Sequence, residues 1–238
     1  MIDLHTHILP NIDDGARDVD TALKMTEALY SQSITKAVCT PHYDPSRTPM
    51  EEFVKKRALA FAKLKESRIQ LILASETILH EYLFHYCDLS ELCIENTRYL
   101  LLELPYLMKF DRKVFEAINR LIDYYNIIPI IAHIERYPSI RQKQINKLQQ
   151  MGCMLQLNTG TILNKKTRKK ALRYIKREYI KIIGSDCHDM ERRPPSMREA
   201  LELIDYQLGA SYCERLEDYA EGIVKGKELL KKKSYIIE

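Results

Sequence analysis

Met1-Ile-Asp-Leu-His-Thr-His7 decides how the chain is read. Met1 to Leu4 form a short apolar run of strand character, and His5 and His7 close it two residues apart. In an extended strand, residues i and i+2 leave from the same face. The two imidazoles therefore stand side by side, their Cβ atoms about 7 Å apart at about 3.3 Å of rise per residue. That spacing lets both rings close on one metal ion. A bare H-x-H also fits two surface histidines near a chain end, so the distribution of the other histidines and carboxylates decides.

Working outward, short β-like runs alternate with longer stretches of helical period, the pattern of parallel βα units. Strands are expected at 1–4, 35–40, 70–75, 98–103, 127–132, 153–158 and 180–185. Helices are expected at 19–32, 50–66, 111–125, 139–151, 163–177, 196–208 and 212–220, with a short one after 222. Asp18 or Asp20 can cap the first helix, Pro49 can open the second, and Gly152 suits a helix end. Residues 77–97 fit neither period and read as a loop with a short helix. Seven βα units imply an α/β fold closed, or nearly closed, as a distorted seven-stranded relative of the eight-stranded TIM barrel. A doubly wound open sheet is the alternative. With no linker, low-complexity tract or repeat, residues 1–238 read as one domain.

Parallel α/β folds gather their chemistry at the carboxyl ends of the strands. Here those ends carry His5 and His7 followed by Asp13-Asp14-Gly15; Thr40-Pro-His42; Ser75-Glu76; Leu102-Glu103; Ala132-His133-Ile-Glu-Arg136; and Ser185-Asp-Cys-His188. The sixth offers only Asn158 and Thr159. His80 and His85 fall outside this pattern and read as loop residues. A single Glu76 or Glu103 would be an ordinary ion-paired carboxylate, but six ends converging on one rim define a site. Imidazole and carboxylate without thiolate suit Zn²⁺, Mn²⁺ or Fe²⁺. Nine candidate ligands, His5, His7, Asp14, His42, Glu76, Glu103, His133, Asp186 and His188, exceed what one ion takes. Two or three ions with a bridging carboxylate fit the count, and such clusters clamp phosphoryl groups. Arg136 and Arg193 lie on the same rim, and a guanidinium grips phosphate oxygens bidentately.

Cys187 and Arg193 also match the C-x5-R spacing of thiolate phosphatases. That chemistry needs backbone N–H groups wrapped round the phosphate and a depressed thiol pKa. The intervening His-Asp-Met-Glu-Arg has no glycine and carries two acids, so the metal reading is preferred. The six cysteines are scattered without C-x-x-C and read as reduced thiols of a cytoplasmic protein. No apolar run is long enough for a membrane span, and no signal peptide is evident. Net charge is a mild +4, yet cations crowd residues 165–177 and recur at Lys231 to Lys233. These clusters are either solvated faces or a dock for an anionic partner.

Taken together, Met1-Ile-Asp-Leu-His-Thr-His, Ile12-Asp-Asp-Gly15, Thr40-Pro-His42, Glu76, Glu103, Ile131-Ala-His-Ile-Glu-Arg-Tyr137, Met151-Gly-Cys, Gln156-Leu-Asn158, Ser185-Asp-Cys-His188 and Arg193-Pro-Pro195 resemble a known family. It is the polymerase-and-histidinol-phosphatase (PHP) superfamily, and within it the bacterial tyrosine-protein phosphatases of capsule and exopolysaccharide loci, the CpsB/YwqE type. The resemblance spans residues 1–197. It implies a trinuclear, Mn²⁺-dependent site, with Fe or Zn also compatible, in a distorted barrel. By position, His5, His7, Glu76 and Asp186 would hold one ion with Glu76 bridging. Glu103 and His133 would join Glu76 at a second, and Asp14, His42 and His188 would hold a third. Arg136 and Arg193 would grip the phosphate while a metal-bound hydroxide attacks phosphorus. The implied substrate is a phosphotyrosine protein, the autophosphorylated tail of a partner tyrosine kinase, with no nucleic acid involved. Ala74-Ser75-Glu76-Thr77 departs from the family's G-x-E, and Leu104-Pro105 replaces a more polar turn. A small-molecule phosphatase of histidinol-phosphatase type, or a non-catalytic binding module, are the alternatives.

Overall fold

Every strand pairing among the described residues is parallel. A computed structural model describes residues 1–106 and 110–229. The strands are β1 (Ile2–Thr6), β2 (Lys36–Cys39), β3 (His42–Tyr43), β4 (Gln70–Leu73), β5 (Glu76–Ile78), β6 (Tyr99–Glu103), β7 (Ile128–Ile131), β8 (Met154–Asn158) and β9 (Ile182–Gly184). They fall into a three-stranded sheet, β1-β2-β4, and a six-stranded sheet, β3-β5-β6-β7-β8-β9. Among the described residues, eight α-helices fill most of the connections: α1 (Val19–Ser31), α2 (Met50–Phe61), α3 (Arg112–Asp123), α4 (Gln142–Gln150), α5 (Thr159–Leu163), α6 (Arg168–Lys176), α7 (Met197–Leu208) and α8 (Ala210–Val224). The result is a parallel α/β fold, as the alternating periods imply.

The expected second and third strands each appear as two pieces. Pro41 has no N–H to give the ladder, so β2 stops at Cys39 and pairing resumes at His42. Hydrogen bonds bridge both gaps: Ala74 N–H donates to Cys39 O and Glu76 N–H to Pro41 O. Ser75 Oγ bonds to Thr77 Oγ1 and to Leu92 O, which anchors the break between β4 and β5. The two sheets also meet on their far edges. Thr6 forms an isolated parallel bridge to Cys187, and Asp186 N–H donates to His5 O.

Two apolar clusters follow from this layout. One lies between the strands and the helices, built from side chains such as Met25, Leu29, Leu100, Ile118 and Leu148. The smaller one gathers Ile2, Leu4, Ile72, Leu101, Ile130, Met154 and Ile182, with Ala220 and Ile223 of α8 packed against them. Alternate residues of a strand share a face. Ile72 and Ala74 therefore lead to Glu76, Leu101 leads to Glu103, and Met154 leads to Gln156 and Asn158. The apolar stripe turns polar at the carboxyl ends, where ionisable groups can be reached from outside.

The helices depart from expectation in three places. The helix expected at 163–177 starts later, as α6 at Arg168–Lys176, and a separate short α5 ends at Leu163; Thr167 Oγ1 and the Arg168 guanidinium donate to the terminal carbonyls of α5. Residues 77–97 begin with strand β5 and continue as two single turns, Glu81–His85 and Ser90–Leu92. The helix expected at 212–220 and the start of the one after 222 are one continuous α8. Gly222 does not stop it: a Cβ there would lie 2.6 Å from Leu229 Cδ2, so glycine serves close packing. Lys231 to Lys233 lie outside the described residues. Asp18 caps α1 by accepting from Thr21 N–H, and Gly152 has a φ of +91° just past α4.

Gly184 links this frame to the site, since a Cβ on it would sit 2.6 Å from His5 Cβ and 3.1 Å from Gln156 Nε2. Gly184→Ala is expected to destabilise the fold by about 1–3 kcal/mol through overpacking. A lowered urea midpoint at unchanged m-value checks this, and an unshifted midpoint would show that His5 can move aside freely.

Candidate metal centre

All nine sequence-nominated ligands converge on the carboxyl ends of the strands. His7, Asp14, His42 and His188 form one group; His5, His7, Glu76 and Asp186 a second; His42, Glu76 and Glu103 a third. His133 joins the third, its Nε2 lying 2.6 Å from Glu76 Oε1 and 3.4 Å from Glu103 Oε1. His5, His7, Glu76, His133, Asp186 and His188 are buried, whereas Asp14 is 68% exposed at its side chain and closes the group from the solvent side.

The spacing inside the cluster is that of ligands rather than of hydrogen-bond partners. Glu76 Oε2 lies 3.1 Å from His5 Nε2, 3.2 Å from His7 Nε2 and 3.1 Å from His42 Nδ1. Yet among the described residues this oxygen accepts no hydrogen bond of acceptable geometry. Asp186 Oδ1 and His188 Nε2 are buried and unpartnered in the same way. The Nε2 atoms of His5 and His7 face each other at 3.2 Å. Atoms bound at about 2.1 Å to one cation and subtending roughly 90–110° sit about 3.0–3.4 Å apart. Orphaned lone pairs aimed at a common centre at that spacing fit divalent cations.

A second layer of residues, which the strand-end reading does not nominate, sets the orientation of this one. His7 Nδ1 bonds to Asp13 Oδ2 at 2.7 Å, and Asp13 also accepts from the N–H groups of Gly15 and His42. Gly15 is required because a Cβ would lie 2.2 Å from His7 O. Gln156 Oε1 accepts from His133 N–H at 2.6 Å and stands 3.4 Å from His5 Nδ1. Asp3 accepts from the N–H groups of His5 and Ser185, tying β1 to the chain after β9. The only sequence signals for these were adjacency, Asp13 beside Asp14 and Asp3 two before His5. Gln156 and Asn158 carried their place at the end of β8 and the Gln156-Leu-Asn158 piece of the resemblance, with no role attached to either. Two ligands hold strained backbone: His133 has a φ of +29° and Asp186 of +53°, a region that costs non-glycine residues energy.

The protonation pattern follows from this crowding. Burial works against the charged form of every group, but mutual attraction outweighs it. Glu76 is held well below the carboxylate range by the charge of His5 and the bond from His133. Asp186 is lowered too, by His5 and His7. His7 is raised by its bond to Asp13 and by the Asp186 and Glu76 carboxylates close to its Nε2, and His133 is pushed up to about 9 by Glu103 and Glu76. His188 goes the other way, to about 4, because it is buried and faces His7 and Arg193.

The arginines flank this cluster. Arg136 Nη2 and Arg193 Nη2 reach Asp186 Oδ2 at 2.5 and 2.6 Å, and Asn158 Nδ2 donates to the same oxygen. Both guanidiniums remain partly exposed, and they open on a cleft of about 490 Å³ whose walls include Asn158, Thr161, Asn164, Thr167 and Ser196. The loop between Cys187 and Arg193 is unsuited to thiolate chemistry. Its amides at 191, 192 and 193 donate to Asp189 Oδ1, and those at 188 and 189 to Arg193 O, so they are not free for a phosphate. The Cys187 thiol is fully buried, and burial pushes it well above its ordinary range. His80 and His85 sit apart from the cluster, ringed around Tyr82.

Fold and site together define a parallel α/β protein with a histidine–carboxylate cluster suited to divalent cations beside an arginine-lined cleft. The chain belongs to the capsular polysaccharide synthesis CpsB/CapC family, whose model matches residues 1–223. It is 26% identical to the tyrosine-protein phosphatase CpsB of Streptococcus pneumoniae, over 91% of this chain and 94% of that one. It is 28% identical to the tyrosine-protein phosphatase YwqE of Bacillus subtilis, over 97% and 94%. Its fold superposes, with a TM-score of 0.84 and 23% identity over 100% of both chains, on a structure from a study of YwqE and CpsB, described there as metal-dependent tyrosine phosphatases.

Two outcomes are expected for the ion-binding cluster. Glu76→Gln removes the charge that neighbours three imidazoles, and should lower divalent-cation affinity at least 100-fold with the fold retained. Elemental analysis after dialysis, paired with circular dichroism, checks both halves. Cation uptake at pH 7 should also release protons, because His7 and His133 hold theirs until a cation displaces them. Affinity then rises with pH up to about 9, the value to which His133 is pushed. Titration calorimetry in buffers of different ionisation enthalpy reads the proton count; none released would contradict this charge state.

Proposed function

We propose that this chain is a metal-dependent tyrosine-protein phosphatase, a phosphoric monoester hydrolase acting in capsule or exopolysaccharide synthesis. One observation carries the reading: orphaned Glu76 Oε2 and Asp186 Oδ1 meet ring nitrogens at ligand spacing, directly beside two arginines that share Asp186 Oδ2. The family membership and the names of the relatives support it. Two or three divalent cations, Mn²⁺ foremost, would be held by His5, His7, Glu76 and Asp186, by Glu76, Glu103 and His133, and by Asp14, His42 and His188. When bound, they supply charge neutralisation at the phosphate and an activated water as nucleophile.

The chain's own residues do the rest. Arg136 and Arg193 lie against one carboxylate oxygen and offer their remaining N–H groups to the cleft, where a phosphate dianion accepts them bidentately. Their positive charge grows in value as negative charge shifts onto the phosphate oxygens during transfer. A phenolate leaves readily, which makes a dedicated general acid dispensable. Asp189 fixes the backbone of the Arg193 loop, so this guanidinium is placed before substrate arrives.

The remaining assignments belong to the same proposal. The bridge from Thr6 to Cys187 and the hydrogen bonds across both strand breaks support reading the sheets as one distorted seven-stranded barrel in a single domain. An open cleft edged by partly exposed arginines suits a phosphotyrosine on a protein, such as the tail of a partner kinase, better than a small metabolite that needs enclosure. The free cysteines suit a cytoplasmic location. Among the described residues, no helix is long and apolar enough to cross a membrane.

Phosphate release should be fast from a phosphotyrosine peptide, slow from phosphoserine peptide and histidinol phosphate, dependent on Mn²⁺ and abolished by chelation. Cys187→Ser should stay active; activity that survives chelation but is lost with this variant would overturn the metal mechanism. Arg193→Ala should lower kcat/KM about 10- to 1,000-fold, as for loss of one transition-state donor, measured by steady-state kinetics with metal content confirmed unchanged.

A further inference from the structure

Residues 165–177 hold eight of the chain's 37 lysines and arginines and none of its 33 acids, so the remainder of the molecule is net acidic. The fold presents this charge as a surface stripe. Ala171 and Ile175 bury one side of α6, whereas Lys165, Lys166, Lys169, Lys170, Arg173, Lys176 and Arg177 are exposed. Positions three and four apart are neighbours on a helix, so these cations run along its outer face. Among the described residues none of the seven is ion-paired, and Lys170 lies over the Tyr174 ring as its one marked contact. Arg168 is different, since its guanidinium is spent on the carbonyls of α5.

A merely solvated helix would be built otherwise. The positive end of the helix dipole favours acids in the first turn. Here α6 begins with three cations, has no acid there and receives no side-chain cap from Thr167. The arrangement opposes helix stability and concentrates positive potential at the N-terminal end, a local conflict expected where a sequence answers to binding. That end borders the substrate cleft, because Asn164 and Thr167, which enclose Lys165 and Lys166 in the chain, line its wall.

From this continuity we infer that the α6 stripe docks an acidic, Asp/Glu-rich segment of the same polypeptide that presents its phosphotyrosine to the cleft. The inference rests on the proposed phosphatase reading and extends it to substrate choice. Carboxylates suit the stripe better than further phosphates, because five of its seven cations are lysines, point charges without the planar fork that grips phosphate. A lipid surface is the poorer partner, since none of the exposed large apolar side chains of the described residues lies on α6. Long-range attraction of this kind acts on encounter and on KM rather than on the chemical step.

The test uses the full chain loaded with Mn²⁺ and two phosphotyrosine peptides of equal length, one flanked by glutamates and one by glutamines. At low salt the Glu-flanked peptide should be favoured about tenfold in kcat/KM, through KM. High salt should erase the preference, as should the variant carrying Lys165→Gln, Lys166→Gln, Lys169→Gln and Lys170→Gln, with turnover of the Gln-flanked peptide unchanged. Equal kcat/KM for both peptides, or a preference that survives in the variant, would overturn the docking assignment. So would capture of phosphatidylserine vesicles through these lysines without any peptide preference. If neither peptide is hydrolysed, the phosphatase reading fails instead. Binding of an unphosphorylated Glu-rich peptide, compared between wild type and variant by fluorescence anisotropy, still decides the docking surface.

Discussion

A buried carboxylate that cannot satisfy its own oxygen is the constraint on which this molecule turns. Glu76 is 1% exposed, one of its oxygens bonds His133, and the other faces three imidazoles without accepting a hydrogen bond. An isolated buried charge is expensive, and a group so placed persists only when opposite charge surrounds it. The ring of histidines supplies that charge in the ion-free protein, through the protons on His7 and His133. Divalent cations supply it when bound. The same surroundings that would destabilise an ordinary core therefore make a stable receptacle for cations.

Everything around the receptacle serves rigidity. Asp13 orients His7, Gln156 holds the backbone of His133, and Asn158 with two arginines restrains Asp186. The left-handed backbone at His133 and Asp186 is tolerated because neighbouring strands fix both ends of each turn. Both arginines are tied to Asp186, whose other oxygen faces His5 and His7, so in the proposed mechanism the phosphate-binding groups and the cation site share a support. A small displacement of Asp186 would disturb both, which explains why so many donors converge on its outer oxygen.

The parts of the fold with strong local signals were legible from sequence. Period-two and helical runs placed strands and most helices, because burial of one face imposes that periodicity. Places where tertiary contacts override local preference were not. Pro41 interrupts a strand whose hydrogen bonds nonetheless continue around it, and the late start of α6 at Arg168 goes with its guanidinium reaching back to the end of α5. The two helices expected around residue 222 are one continuous α8, in which Gly222 is a packing site for Leu229. The supporting shell's roles were likewise hidden: the Gln156-Leu-Asn158 motif could be seen, but not that Gln156 Oε1 accepts from His133 N–H.

The order of residues alone determined that histidines and acids lie at the ends of apolar runs, and parallel α/β chain logic then required those ends to share one rim. Only the folded chain decided which acid does what. Asp13 turns inward to His7 while its neighbour Asp14 faces His42 and His188 from the solvent side. It also decided that Arg136 and Arg193, 57 positions apart, lean on one oxygen of Asp186. Periodicity is a local property of the chain, written wherever a face must be buried. The partner of a buried charge is set by three-dimensional proximity and the cost of leaving it unpaired, which no single stretch of sequence contains.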